Sequence, residues 1–401
     1  MIRPSRRTAN FHYAIRNIFR VAEARERAGR EVLHFNIGDP QSFGFRPPQH
    51  VVEPVVRALC DGFTGYAHSA GLREAREAVA AYAARAGVAC TPSDVLITAG
   101  ASEAADLLLG ALVDEGDEVL VPAPGYPIYP ALLNKFGAVA RFYHLDDARS
   151  WQSAPDEIDS LVNSRTRAIV LINPSNPTGA VAPDELTARL IDTAARHHLL
   201  VISDEVYREL CFGPPPSPAA LLAEERGVPL VTLESLSKTH LIPGWRIGWM
   251  RFTHAQKMPD LISAINRLAD GRLCSPTPAQ YAVRPALEGN RDFLPQFIDA
   301  VRRRRDFAVA QVRETDGLSC SEPAAAFYLM VKVDGGALAG RTDEQFVLDL
   351  LDETGVLVVQ GSGFGTDPRA GYFRLVYLAD EAILGAAFAH LRRFLAACPS
   401  L

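Results

Sequence analysis

The feature that most constrains the fold is an alternation, from about residue 90 to 250, of short apolar runs with longer helical patterns. The runs are nearly continuous in valine, isoleucine and leucine, which is typical of strands buried on both faces. Strands are predicted at "DVLIT" (94–98), "EVLV" (118–121), "VARFYH" (139–144), "RAIVLIN" (167–173), "LLVIS" (199–203), "PLVTLES" (229–235) and "RIGWMRF" (246–252). The pattern predicts an α/β fold with a mainly parallel, seven-stranded sheet covered by helices.

The rhythm changes after about residue 290. A long charged helix pattern precedes three strand patterns, "AFYLMVKV", "VLVV" and "YFRLVYL", and a final helix. We therefore predict a large domain over 46–285 and a smaller α+β domain over 286–401. A helix pattern at roughly 10–29 predicts that residues 1–45 form an N-terminal arm packed with the smaller domain.

Composition and charge exclude several classes of function. The net charge of −6 argues against a general nucleic-acid or membrane-surface partner. No apolar run approaches the length of a membrane span, and "MIRPSRRTANF" lacks the apolar segment of a secretory signal. The six cysteines are far apart and include no CxxC pair, which favours a reduced, cytoplasmic protein over a disulfide framework.

Polar clusters follow several of the predicted strands, at the edge of the sheet where ligands bind in doubly wound folds. These residues are Gly100, Ala101 and Ser102 in "AGASEA", Asn176 in "NPSNPTG", Asp204 and Tyr207, and Ser235, Ser237, Lys238 and Arg246 in "SLSKTHLIPGWR". Each cluster alone has a structural explanation as a helix cap or a turn. Their recurrence at successive strand ends instead indicates a binding site.

Taken jointly, these residue types match one cofactor. Two hydroxyls, an arginine and the amides of a helix N-terminus can bind a phosphate. An aspartate can pair with a protonated ring nitrogen, an asparagine and a tyrosine can bond a phenolic oxygen, and a lysine can form a Schiff base with an aldehyde. A pyridine ring that carries phosphate, phenolic oxygen and aldehyde is pyridoxal 5'-phosphate.

At these motifs the chain resembles the fold type I, class I and II aminotransferases, from "FNIGDP" to "FRLVYL". The resemblance implies that Lys238 is the Schiff-base lysine and Asp204 the partner of the pyridine nitrogen. It also implies that Asn176 and Tyr207 bond the phenolic oxygen, so that Lys238, Asp204 and Tyr207 are the catalytic residues. Further cofactor contacts are implied for Gly100, Ala101, Ser102, Tyr126, Ser235, Ser237 and Arg246, with Tyr126 stacked on the ring and the others at the phosphate.

The resemblance also implies substrate contacts and an assembly. Gly38 and Arg374 match the residues that receive the α-carboxylate of the substrate, near Asn176. Tyr66 matches a tyrosine that reaches the phosphate of a neighbouring subunit, which implies a homodimer with shared active sites. The stretches "VPAPGYPIY" and "RLCSPTPAQYA" are similar to the alanine-transaminase branch, where Tyr13 and Arg16 match an N-terminal segment that closes over the site.

The expected reaction moves an amino group from an α-amino acid, similar to alanine or glutamate, to a 2-oxo acid by a ping-pong mechanism. A specialised lyase or γ-replacement enzyme remains an alternative, because the fold does not select the reaction. A non-catalytic cofactor-binding sensor is a third. The segment "KTHLIPGWR" departs from relatives around Leu241–Pro243, which leaves the substrate open.

Other features carry less functional information. "GSGFG" (361–365) lacks the spacing of a dinucleotide loop and predicts a mobile loop near the mouth of the site. His197 and His198 are adjacent rather than four residues apart, so no metal site is predicted. The run from Arg302 to Arg305 predicts a solvated helix face. Arg272 has two readings, as a helix-end or interface arginine or as a receptor for a second substrate carboxylate from the partner subunit, and the first is slightly favoured.

Overall fold

The computed structural model describes residues 2–3, 5, 14–154 and 156–397, with the backbone alone for residues 14–17. Its strands are β1 (Leu33–His34), β2 (Val95–Thr98), β3 (Glu118–Ala123), β4 (Val139–Asp146), β5 (Gln152–Ser153), β6 (Thr166–Ile172), β7 (Leu200–Asp204), β8 (Leu230–Ser235), β9 (Gly248–Thr253), β10 (Leu318–Cys320), β11 (Tyr328–Val333), β12 (Val356–Leu357), β13 (Val359–Gln360) and β14 (Tyr372–Val376).

Helices lie between many of these strands, in some places two or more in succession. They are α1 (Ala14–Arg27), α2 (Gln49–Cys60), α3 (Arg73–Arg85), α4 (Ala101–Leu112), α5 (Ile128–Phe136), α6 (Glu157–Leu161), α7 (Asp184–His197), α8 (Ala219–Arg226), α9 (Leu236–Thr239), α10 (Pro259–Arg272), α11 (Thr277–Gln280), α12 (Val283–Glu288), α13 (Phe293–Arg313), α14 (Gly335–Leu338), α15 (Asp343–Thr354) and α16 (Glu381–Ala397). None of those in the described part of the chain is long and apolar enough to cross a membrane.

The large sheet confirms the α/β prediction. Its strand order is β2-β9-β8-β7-β6-β3-β4-β5, and every predicted strand occupies its expected place. Strands β8, β7, β6, β3 and β4 run parallel, whereas β9 is antiparallel to both β2 and β8. The short β5 adds an eighth strand, antiparallel to β4, which the prediction of seven strands missed.

Burial follows the position of each strand in the sheet. Strands β2, β3, β7, β8 and β9 are buried at every residue, because helices cover both faces. Near the sheet edge, β4 is mostly exposed, including Val139 and Phe142. The expectation of burial on both faces was therefore wrong for β4.

A second, antiparallel sheet with the order β10-β11-β14-β13 lies in the last third of the chain. Helices α13, α15 and α16 pack with it around one apolar cluster that includes Phe346, Phe373 and Phe388. Near the N-terminus, β1 pairs in parallel with β12, and α1 contacts α15. The division into domains at residues 46 and 286 stays a prediction.

One minor prediction, on the arginine run, needs correction, and the predicted mobility of "GSGFG" stays a prediction. Arg302 and Arg303 are exposed on α13, but Arg305 is buried, since its Nη1 donates to the carbonyl of Pro323 at 2.6 Å and its guanidinium lies over the Phe212 ring. The run is therefore not entirely a solvated face. The "GSGFG" segment forms a short 3-10 turn in which Phe364 is buried.

Candidate active site

A cavity of about 570 Å³ opens where β6, β7 and β8 end and α4 begins. Ile172, Asp204 and Ser235 end these three parallel strands, so the register of the sheet brings them to one edge. The cavity also receives residues from the second sheet, namely Tyr328 from β11 and Arg374 from β14. It is thus lined by both sheets.

One end of the cavity gathers hydroxyls and a cation. Ser235 caps α9, because its Oγ accepts a hydrogen bond from the backbone N–H of Ser237 at 3.3 Å. The Arg246 guanidinium is held by the carbonyls of Ala99, at 3.1 Å, and Pro243, at 2.9 Å. Gly100 stands at the N-terminus of α4 with φ of 80°, where a Cβ would collide with that guanidinium. Only glycine lets the arginine lie so close to the helix start.

Lys238 projects from α9 into the cavity, and its Nζ donates to the carbonyl of Gly38 at 2.7 Å. Burial lowers the pKa of Lys238 to about 8, an effect that Asp39 opposes and that Arg374 and Arg246 reinforce. A lysine with this pKa is partly neutral near physiological pH. It can therefore act as a nucleophile and as a base.

Asp204 is 7% exposed and accepts two hydrogen bonds. The Tyr129 hydroxyl donates to Oδ2 at 2.8 Å, and the backbone N–H of Val206 donates to Oδ1 at 3.3 Å. Burial raises the pKa of Asp204 to about 6, against the influence of both hydrogen bonds. The carboxylate is thus ionised at neutral pH and directed into a largely enclosed space.

Arg374 is 1% exposed and lies between two rings, with its Cζ 4.5 Å from the centroid of Tyr328 and 4.6 Å from that of Phe364. Its Nη1 donates to Oδ1 of Asn176 at 2.9 Å, and its Nη2 donates to the carbonyl of Asn36 at 2.6 Å. These contacts fix the plane of the guanidinium, which suits it to bind a carboxylate through two parallel hydrogen bonds.

Comparison with known proteins decides the family. The model of the class I and II aminotransferases matches residues 30–387. The chain belongs to this family.

Similar aminotransferases span nearly the whole chain. The glutamate-pyruvate aminotransferase AlaA of Haemophilus influenzae is 36% identical over 92% of both chains. The alanine aminotransferase of Mycobacterium tuberculosis is 35% identical over 92% of this chain and 87% of its own. The solved alanine aminotransferase from Pyrococcus furiosus superposes with a TM-score of 0.94 and 38% identity, covering 98% of this chain and 100% of the other. These likenesses confirm the fold type and an amino-acid aminotransferase activity.

Most of the residues singled out from the sequence of this aminotransferase meet in the cavity. Those that line it are Gly38, Ala101, Ser102, Tyr126, Asn176, Asp204, Tyr207, Ser235, Ser237, Lys238, Arg246 and Arg374. Tyr66 is 84% exposed and lies outside the cavity of its own chain. Tyr13 lies outside the described residues, as does the side chain of Arg16. The roles assigned to all of them stay predictions.

Sequence reasoning missed three polar residues of the aminotransferase cavity. Tyr328 shares a hydrogen bond of 2.6 Å with Tyr207, hydroxyl to hydroxyl. Tyr129 donates a hydrogen bond to Asp204, and the charge of Asp39 partly offsets the lowering of the Lys238 pKa. Tyr129 and Asp39 had a usable signal, because they follow the predicted site residues Tyr126 and Gly38 by three positions and one position.

The structure describes the surroundings of two features that the sequence left open. The Arg272 guanidinium lies within its own chain, where Nη2 donates to the Ile97 carbonyl at 2.9 Å and Nε lies 3.4 Å from the Glu103 carboxylate. This geometry favours a structural role. In the divergent "KTHLIPGWR" segment, Leu241 and Ile242 are buried, and Pro243 lines the cavity.

Proposed function

We propose that this aminotransferase uses pyridoxal 5'-phosphate to move an amino group between an α-amino acid and a 2-oxo acid in the cavity described above. The observation that carries the proposal is the convergence of Lys238, Asp204, Arg246 and Arg374 on one enclosed space. Members of the family use this cofactor.

The residues present fit each part of the cofactor. Ser235, Ser237, Arg246 and the N-terminus of α4 supply the hydroxyls, positive charge and amide donors that a phosphate needs. The buried Asp204 carboxylate suits a protonated ring nitrogen. We assign the phenolic oxygen to Tyr207 and Asn176, which supply a hydroxyl and an amide, and the ring face to Tyr126.

When bound, the cofactor supplies a ring that accepts the electron pair left at a substrate carbon. The protein supplies the proton transfers and the geometry. Lys238 Nζ would take a proton from the α-carbon of the substrate and would deliver it to the cofactor carbon that carries the aldehyde, a role that suits its lowered pKa. Asp204 stays ionised and thereby keeps the ring nitrogen protonated. Arg374 orients the α-carboxylate of the substrate, with the backbone of Gly38 beside it.

The substrates are proposed from the relatives. Their printed names are alanine aminotransferase and glutamate-pyruvate aminotransferase. We infer that alanine and glutamate are donors and that pyruvate and 2-oxoglutarate are acceptors. The Arg374 guanidinium supports the binding of an α-carboxylate, which all four compounds carry.

We further propose a cytoplasmic homodimer. The exposed Tyr66 supports this assembly, because a tyrosine that is 84% exposed in one chain is available to reach the phosphate site of a second copy. Charge and cysteine spacing support a reduced compartment without nucleic-acid or membrane partners. Sedimentation and complementation of the Tyr66→Phe and Lys238→Ala variants in mixed dimers test the shared site.

The test of the function is a substrate panel. The cofactor-loaded protein is mixed with single amino acids, and the visible absorbance of the bound cofactor is followed together with 2-oxo acid release. Conversion of alanine and of glutamate, with one molecule of 2-oxo acid released per active site, supports transamination. Release of ammonia, or replacement of a γ-substituent, would support the lyase or γ-replacement alternative. Cofactor binding without any conversion would support a sensor.

A further inference from the structure

Tyr129 is a buried residue to which the family resemblance assigned no role. It lies in the first turn of α5, is 1% exposed and lines the cavity. Its hydroxyl donates to Oδ2 of Asp204 at 2.8 Å. The only other donor to this carboxylate in the described structure is the backbone N–H of Val206, on Oδ1. Each carboxylate oxygen therefore has one donor, and the side-chain donor is Tyr129.

We propose that Tyr129 is a positioning residue for Asp204, and that its hydroxyl keeps this carboxylate ionised and in one orientation for the ring nitrogen of the cofactor. The inference rests on the proposed function, since it presupposes that Asp204 meets the ring. Tyr129 acts through Asp204.

The surroundings of Asp204 explain why it needs this donor. Asp204 pairs in the sheet with Ile172 of β6 and Leu233 of β8. Neither adjacent strand therefore offers a charge or a hydroxyl at the position paired with Asp204. The other titratable or charged side chains that line the cavity are Asp39, Tyr126, Tyr207, Lys238, Arg246, Tyr328 and Arg374. Burial dominates the pKa of Asp204 and raises it to about 6, and the hydrogen bond from Tyr129 is the largest opposing influence.

The proton in this pair stays on Tyr129. Burial, together with the charge of Asp204, raises the pKa of the Tyr129 phenol well above its usual value. The phenol is therefore a permanent donor, and the carboxylate a permanent acceptor, across the neutral pH range. Removing the hydroxyl leaves a buried carboxylate with one backbone donor, which favours its protonated form.

The direction of the expected pH shift follows from the protonation state of Asp204 that binds the cofactor. The cofactor pairs with ionised Asp204, so its affinity falls as pH drops below the pKa of that group in the cofactor-free protein. In Tyr129→Phe this pKa rises, and the acid limb of the affinity profile moves to higher pH. A hydrogen bond to a charged group corresponds to a shift of about one pH unit, which lowers the affinity about fivefold near pH 6 and approaches about tenfold near pH 5.

The experiment measures cofactor affinity from pH 5 to 9 for the parent protein, Tyr129→Phe and a matched control, Tyr143→Phe. Tyr143 is also buried and donates its hydroxyl, to the carbonyl of Val170 at 2.8 Å, but it does not line the cavity. Two probes are used: pyridoxal 5'-phosphate, and its analogue with carbon in place of the ring nitrogen. The analogue carries the same phosphate, so its profile isolates the effect of the ring nitrogen.

We expect the acid limb for pyridoxal 5'-phosphate to move only in Tyr129→Phe, and the limb for the carbon analogue to move in neither variant. Two results would overturn the proposal. The acid limb of the affinity profile could stay in place in folded Tyr129→Phe, or it could move equally with both probes. Asp204→Asn separates this failure from a failure of the function. If Asp204→Asn loses turnover while Tyr129→Phe behaves as the parent, only the role of Tyr129 is wrong. If Asp204→Asn retains normal turnover, the assignment of Asp204 to the ring nitrogen is wrong, and if the parent protein converts no amino acid, the proposed function itself fails.

Discussion

Two regions of the cavity are built in different ways. The strand-end region, formed by Ala101, Asp204, Ser235, Lys238 and Arg246, rests on consecutive elements of the large sheet. Its spacing is set by the hydrogen-bond register of strands that are buried at every residue. Polar groups on such a scaffold keep their relative positions without a ligand, which suits the binding of a rigid cofactor.

The arginine region, formed by Asn36, Gly38, Asn176, Tyr328 and Arg374, joins segments from both sheets and from the N-terminal part of the chain. Arg374 bonds Asn36, which is 338 residues away in sequence, and Asn176, which is 198 away. Its geometry thus depends on how separate segments approach one another. Under the proposed function, the strand-end region binds the cofactor and transfers protons, and the arginine region binds the substrate carboxylate.

The largest expected effect is that of Lys238→Ala in the strand-end region. Because the variant lacks both the amine that binds the cofactor aldehyde and the base, we expect turnover to fall at least about a thousandfold while the protein still binds cofactor non-covalently. Turnover assays with alanine and pyruvate, alongside cofactor binding, measure this. The matched control is Lys135→Ala, which removes a lysine paired with Asp106 outside the cavity. Residual activity within tenfold of the parent would contradict the assignment.

Asp204→Asn comes next. The amide cannot hold a proton on the ring nitrogen, so the electron sink weakens, and we expect a loss on the order of a hundredfold in kcat with a folded protein. Steady-state kinetics and thermal melts separate catalysis from folding. Near-normal kcat with bound cofactor would place the ring elsewhere in the cavity and remove the distinction between the two regions.

Arg374→Lys tests the arginine region. Lysine cannot make the two parallel hydrogen bonds of a guanidinium, and it also loses the stacking between Tyr328 and Phe364. We expect KM to rise roughly 10- to 100-fold for every amino acid, which corresponds to one or two lost charged hydrogen bonds. Cofactor affinity should change little. A collapse of cofactor binding would show instead that Arg374 belongs to the phosphate site.

The same division explains what the sequence could predict. Asp204 and Ser235 end apolar strands, Lys238 follows Ser235 by three positions, and Arg246 begins the next predicted strand, so local pattern was enough to group them. Two other contacts join positions far apart in the chain. They are the hydrogen bond from Arg374 to the carbonyl of Asn36 and the hydrogen bond between the hydroxyls of Tyr328 and Tyr207. No local periodicity encodes such contacts, because they depend on the packing of the two sheets. The eighth strand, β5, was missed for a different reason, since two residues carry too little pattern.

The smallest expected effect on catalysis is that of Arg272→Ala. The side chain bonds the Ile97 carbonyl and faces Glu103, so its loss should cost about 1–2 kcal/mol of stability and change kcat/KM equally for alanine and glutamate. Kinetics on both amino acids and sedimentation of the variant measure this. A selective loss with glutamate in an intact dimer would instead make Arg272 a receptor for the second carboxylate.

The central claim is that the strand-end region holds the cofactor aldehyde at one lysine. The chain has four lysines, Lys135, Lys238, Lys257 and Lys332, and only Lys238 lines the cavity. Borohydride reduction of the cofactor-loaded protein, followed by peptide mapping, identifies the lysine nitrogen that carries the cofactor. We expect one label per chain, on Lys238. A label on Lys135, Lys257 or Lys332 would contradict it.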